Sequence, residues 1–171
     1  MLIFQYGSNC LDSQLNGEAR LRGDAVFLDI ARIDGFEIAF DVWSKNRGCA
    51  AANMVPTPGA VVWGALYQVP DQLIARDTAA AVNRVALDAI EGEGKNYMRR
   101  TVQVRRAGKE LVEALTYTVV SPAAGLKTNL EYVSFIVAGL KERGVAQDYI
   151  ERVKVIAAAS NPAIATELAA L

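Results

Sequence analysis

The chain opens on an apolar, β-prone run, Leu2-Ile3-Phe4, continues to Tyr6 and then breaks at Gly7-Ser8-Asn9. That pattern predicts a first strand over 2–6 ending in a turn. Residues 10–24 are polar and glycine-spaced, which predicts a loop with at most one short helix. From Asp24 to Asp41 apolar positions alternate on both sides of Asp34-Gly35, a hairpin signal. Residues 44–59 gather turn formers, Asn46, Gly48, Pro56, Pro58 and Gly59. Ala60–Val69 (AVVWGALYQV) is β-branched and aromatic enough to be a buried strand. Gly64 inside it predicts a bulge or a close approach of another backbone.

The second half changes period. Pro70-Asp71 opens a segment in which Val82, Val85, Ala86, Ala89 and Ile90 recur at helical spacing. Gly92 is a natural residue just past a helix end, so that helix should stop near Glu91. Residues 97–106 and 111–120 read as two strands around Ala107-Gly108-Lys109. Asn129–Arg143 is amphipathic, with Tyr132, Phe135, Ile136, Gly139 and Leu140 on one face and Gly144 as its stop. Asp148–Ala159 forms a further helix, Asn161-Pro162 breaks it, and a short Ala-rich helix follows. Strands in the middle without regular βαβ alternation predict an α+β fold with an antiparallel or mixed sheet, compatible with a small closed barrel. A length of 171 residues suits one domain over 1–171.

Composition sharpens this picture at one point. Histidine is absent. Ser-His and Cys-His nucleophile systems and His-bound zinc are therefore excluded within the chain. Acid–base chemistry must come from Asp, Glu, Lys, Tyr or Cys. A net charge of -1 argues against nucleic acid or an anionic membrane as the main partner. No apolar run is long enough for a membrane span, and the first residues lack the regions of a signal peptide. Cys10 and Cys49 have no metal-ligand spacing, and a reduced cytoplasmic setting with no metal or cofactor is expected.

Glu91 is the first candidate for chemistry. At a helix C-terminus the macrodipole disfavours its charge, and Glu93 adds repulsion; both should raise its pKa, as would burial. Such a carboxylate serves as general acid/base where histidine is missing. The alternative reading of EGEGK is a polar turn. The Tyr6-Gly7-Ser8-Asn9 break offers either an ordinary turn or a nest of backbone N–H groups for an anion. Cys10 reads as a small buried residue, since nothing nearby lowers its pKa. Tyr97, Tyr117 and Tyr132 read as core or rim aromatics. Arg99-Arg100 and Arg105-Arg106 read as solvated strand faces, with Glu110 and Glu113 expected opposite.

Taken in order, FQYGSN, PGAVVWGALYQV, LDAIEGEGKNYMRRTVQV, ALTYTVV and NLEYVSFIVAGLKERGVAQDYIERV resemble the gamma-glutamylcyclotransferase superfamily over residues 2–156. The resemblance implies a small mixed β-barrel flanked by helices. It implies release of an amino acid or amine from a gamma-glutamyl compound with formation of 5-oxoproline, without a cofactor or metal. It places the catalytic acid/base at Glu91 and substrate-holding groups at Tyr6, Gly7, Ser8, Asn9, Cys10, Tyr97 and Tyr132. The segment 76–86 departs from the family as an apparent insertion that could reshape one pocket wall, and Cys10 stands where the family often has Leu. A non-catalytic binding protein on the same fold is the alternative function; its mark would be a bound acidic ligand with no product.

Overall fold

The structure, a computed structural model, describes residues 1–108 and 110–171. Its frame is a closed barrel of β1 (Leu2–Gln5), β2 (Val26–Ser44), β3 (Cys49–Gln68), β4 (Tyr97–Arg106) and β5 (Leu111–Val119). The strand order is β1-β3-β2-β4-β5. Four neighbouring pairs are antiparallel, and β1 closes on β5 in parallel through Ile3 and Leu115. This is the mixed, helix-flanked barrel that the resemblance implied. Ile3, Phe4, Val62, Leu66, Tyr67 and Val104 are buried with no solvent exposure; chain neighbours such as Leu66 and Tyr67 face opposite sides of the sheet, so the core lies both inside the barrel and beneath the elements that cover it.

The chain reaches this frame differently from its local pattern in two places. The hairpin expected at Asp34-Gly35 does not form. β2 runs straight through, and Gly35, at φ +82°, sits at a register shift between Asp34 and Phe36. Opposite it, β3 partners jump from Val61 to Pro56, so Pro58 and Gly59 fall inside the irregularity, where no ladder hydrogen bond is required. The true reversal lies at 45–48, closed by the Gly48 amide on Ser44 O at 2.9 Å. Most of the turn-rich stretch is therefore strand. The arm beyond the bulge buries Ile38, Phe40, Ala52 and Met54.

The second difference is the expected long helix before Glu91. It is three pieces: a 3-10 turn at Asp71–Leu73, then α2 (Arg76–Ala81) and α3 (Leu87–Glu91). Between the helices Asn83 takes φ +53°, and Val82 and Val85 are exposed rather than packed. α1 (Asp12–Leu15) is the short helix of the 10–24 loop. The β4–β5 turn includes Ala107 and Gly108; Lys109, its third expected residue, lies outside the described residues.

α4 (Leu130–Glu142) and α5 (Gln147–Ser160) match their expected spans closely, and α6 (Ala165–Ala169) follows the Asn161-Pro162 break. The Asn129 side chain caps α4 by accepting the Tyr132 amide at 2.8 Å. Val133, Ile136, Val137 and Leu140 are buried on one face, each contributing roughly 1.5–3 kcal/mol of apolar burial.

Two glycines fix where the site stands. A Cβ on Gly64 would lie 2.1 Å from Gln5 O, so β1 can settle on β3 only because that side chain is missing. A Cβ on Gly139 would lie 2.4 Å from the Leu11 N and 2.7 Å from the Cys10 C. α4 thus presses against the backbone that follows β1.

Candidate active site

Beyond β1 the chain passes Tyr6 and Gly7 into a 3-10 turn, Ser8–Cys10. Gly7 is extended, at φ -99° and ψ -150°, so this is not a left-handed nest. The Cys10 amide closes the turn on Gly7 O at 3.0 Å. The amides of Ser8 and Asn9 precede that closure and open the turn as donors. Cys10 itself faces away: it is fully buried, and its thiol donates to Gln5 O at 3.0 Å. Burial pushes that thiol up to about 12. Expected among the substrate-holding groups, Cys10 lines neither chamber of the site, and its amide is already engaged.

Glu91 ends α3, and Gly92 turns the chain away in the left-handed region at φ +71°. Its carboxylate is partly buried and faces the 3-10 turn. Gln5 Nε2 and Asn9 Nδ2 both donate to Glu91 Oε1 at 2.8 Å. Arg20 Nη1 in turn donates to Asn9 Oδ1 at 2.6 Å, which fixes the amide so that its NH2 group points at the acid. Burial raises the Glu91 pKa above its ordinary value, opposed in order by the Asn9 and Gln5 hydrogen bonds and the Arg20 charge. The direction is the one expected, and of the three expected causes burial is the one that acts. α3 has five residues, too short for much dipole, and Glu93 pairs with Arg76 at 3.3 Å.

A pocket of about 40 Å³ joins these groups, walled by Gln5, Tyr6, Gly7, Ser8, Asn9, Ala52, Glu91, Tyr97, Tyr117 and Tyr132. It shares Ser8, Asn9, Glu91, Tyr97 and Tyr132 with an outer vestibule of about 520 Å³. The tyrosines divide by what their hydroxyls do. Tyr6 Oη donates to Tyr117 O and Tyr97 Oη to Ala52 O, each at 2.7 Å, so both phenols are engaged with the backbone. Tyr132 Oη accepts the Ala52 amide at 3.1 Å and also interacts with the Ser8 side chain. Burial first, with the Glu91 charge adding to it, raises all three phenols, Tyr132 to about 12. They remain protonated donors at neutral pH.

Six expected residues, Tyr6, Gly7, Ser8, Asn9, Tyr97 and Tyr132, thus meet Glu91 at one pocket. Sequence reasoning passed over Gln5, Arg20 and Ala52, and Tyr117, read as a core or rim aromatic, stands in the pocket wall. Gln5 carried a faint signal as a polar residue in an apolar strand. Behind the wall, Asp88 is buried, accepts the Tyr117 hydroxyl at 2.8 Å and pairs with Arg99 at 3.3 Å. Arg99 is therefore tied to the site rather than simply solvated. Arg106 pairs with Glu110 at 3.3 Å as expected, whereas Glu113 faces Gln103. The segment 76–86 supplies no wall of either chamber. It braces both flanks instead: Arg76 donates to Glu93 O at 2.7 Å, and Arg84 donates to Leu21 O at 2.7 Å beside Arg20.

A small barrel with one partly buried acid at its mouth, facing a turn of donors, is a class of site rather than a name. Comparison with known proteins supplies the family. Residues 61–153, more than half of the chain, match the model of the AIG2-like family. A Mus musculus protein named gamma-glutamylcyclotransferase is 28% identical over 163 residues, covering 91% of this chain and 78% of that protein. A Homo sapiens protein of the same name is 28% identical over 167 residues with the same coverage. A solved structure titled gamma-glutamyl cyclotransferase superposes with a TM-score of 0.74 at 23% identity, over 90% of this chain and 86% of that one. The chain belongs to the AIG2-like family, within the gamma-glutamylcyclotransferase-like superfamily.

Proposed function

We propose that the protein is a gamma-glutamylcyclotransferase that closes a gamma-glutamyl group to 5-oxoproline and releases the attached amine, with Glu91 as general acid/base. The observation that carries this reading is the Glu91 carboxylate. It shares a pocket with Ser8 and Asn9 of the 3-10 turn, is held by two neutral amides on one oxygen, and has its pKa raised by burial. A carboxylate shifted in this direction can act as general acid/base in a chain without histidine.

The reaction is intramolecular. The α-amine of the gamma-glutamyl group, with a free pKa of about 8, arrives largely protonated. Glu91 takes a proton from it. The freed nitrogen attacks the γ-carbonyl carbon, the new C–N bond closes the five-membered lactam, and the bond to the leaving nitrogen breaks. Glu91 returns that proton to the leaving nitrogen, and the second proton, shed by the ring nitrogen as the lactam forms, passes through the same carboxylate to the released amine, so 5-oxoproline and an ammonium leave with the enzyme unchanged. The amides of Ser8 and Asn9, with the Tyr132 hydroxyl, act as donors to the substrate carboxylate or the developing oxyanion. Holding the folded conformer can supply roughly 7–11 kcal/mol. The inner pocket has room for about three water molecules, hence for a carboxylate and little more, so the rest of the substrate occupies the vestibule.

Glu91→Gln keeps an oxygen acceptor for Gln5 and Asn9 but cannot carry the proton. 5-oxoproline release from gamma-glutamyl amino acids should fall by about 10²–10⁴ with an unchanged circular dichroism spectrum. Near-normal release by that variant refutes the assignment.

A further inference from the structure

The two chambers differ in charge. Glu91 is the only ionisable group on the inner wall apart from the tyrosines. The vestibule adds Arg20, Lys45, Arg47 and Lys95, and Glu91 is still its only acid. Such an imbalance could be incidental on a surface of mixed charge. The state of the arginines argues otherwise.

The chain has other arginines that are partly buried, and each has a carboxylate beside it. Arg32 and Arg105 reach Asp34 at 3.0 and 3.7 Å. Arg84 reaches Asp24 at 2.5 Å, Arg106 reaches Asp29 at 3.2 Å and Arg143 reaches Asp12 at 3.1 Å. Arg20 and Arg47 are partly buried too, yet among the described residues no carboxylate pairs with either. Both line the vestibule. Arg20 donates one N–H to Asn9. Arg47 donates one to Gln14 Oε1 at 2.5 Å, and its guanidinium lies 5.0 Å from the Phe135 ring centroid. That stacking holds the plane of the fork while leaving donors for a planar anion. Arg20 feels the Glu91 charge through Asn9 without pairing with it, and Arg47 has no paired carboxylate among the described residues, so the two guanidiniums leave the chamber with an excess of positive charge that suits an anion.

Resting on the cyclotransferase reading, we propose that the vestibule selects a leaving group bearing two carboxylates: an acidic α-amino acid joined through its amine to the gamma-glutamyl group. One carboxylate meets Arg20 at the inner end, and the other meets Arg47. Lys45 and Lys95, exposed at the rim, steer the dianion inward. A neutral amine leaving group meets neither arginine.

The test compares gamma-glutamyl-glutamate, gamma-glutamyl-alanine and gamma-glutamyl-methylamide, read as kcat/KM for 5-oxoproline release by the full chain. The acidic substrate should exceed the alanine one by about tenfold, and the methylamide should fall about tenfold further. Arg47→Gln should shrink the first ratio about tenfold, with Arg47→Lys retaining part of it and circular dichroism confirming that both variants fold. Equal values across the three substrates, or an unchanged ratio in Arg47→Gln, overturn the proposal. Calorimetric binding of gamma-glutamyl-glutamate and the methylamide to Glu91→Gln reads the same preference without turnover. Preferential binding without 5-oxoproline from any substrate in the wild type removes the cyclotransferase reading and leaves the vestibule's selectivity standing. Turnover without preference does the reverse, and absence of both removes both.

Discussion

Gly139 sits inside α4, where two effects of adding a methyl group compete. In a helix interior Gly→Ala ordinarily stabilises by about 0.5–1 kcal/mol through reduced backbone entropy in the unfolded chain. Here the new Cβ would fall 2.4 Å from the Leu11 N, 2.7 Å from the Cys10 C and 2.9 Å from Cys10 Cβ. Ordinary contacts begin at 3.4 Å, so helix and turn must separate by about 1 Å. The first two atoms are backbone, closed into the turn by the Cys10 amide on Gly7 O, and cannot rotate away. Overpacking against such neighbours costs about 1–3 kcal/mol. The strain outweighs the helix gain, and Gly139→Ala is expected to lose about 1–2 kcal/mol. For a chain of 171 residues that lowers the melting temperature by about 2–8 °C. The same displacement moves Ser8 and Asn9 relative to Glu91, so 5-oxoproline release should fall more than stability alone explains at a temperature where the variant is folded. Urea midpoints and rates measured on one preparation decide it. A variant as stable as the wild type, or more so, with full activity would show that the helix is not seated on the turn as described.

Two further substitutions probe the acid itself. Arg20→Gln removes the cation that orients Asn9, so kcat should drop about tenfold and the pH profile of kcat/KM should shift, whereas a merely structural role for Arg20 would leave that profile in place. Glu91 titrates above its ordinary value of 4.5 in the folded chain, so folded protein holds that proton more tightly than unfolded protein. Its contribution to stability therefore declines as pH rises from the unfolded value through the raised folded one. Glu91→Gln escapes this decline, and its stability relative to wild type should be greater at pH 7 than at pH 4; a gap independent of pH refutes burial as the cause.

Where chain-local chemistry decides the outcome, the sequence was legible. α4 was readable because its apolar spacing, the Asn129 cap and the Gly144 stop agree with one another. Gly64 announced a close backbone approach, and Gln5 makes it. Asp34-Gly35 misled because a left-handed glycine serves a bulge as well as a hairpin, and the choice lies with pairing to β3, which is distant information. The broken helix before Glu91 was hidden because Val82 and Val85 keep helical spacing while remaining exposed. In the site, residues with unusual local context stood out: an acid before glycine, and a strand ending in Gly-Ser-Asn. Arg20 and Tyr117 did not, since their meaning comes only from what the barrel sets beside them.

The parallel seam between β1 and β5 has a consequence for how function is acquired. Gln5 and Asn9 meet Glu91 across 86 and 82 residues of chain, and Tyr6 meets Tyr117 across 111. No fragment of the molecule can hold these groups in place alone. Such distant contacts carry a loop-closure cost and slow folding. Pairing of the N-terminal strand into the barrel is therefore a condition for assembling the candidate site.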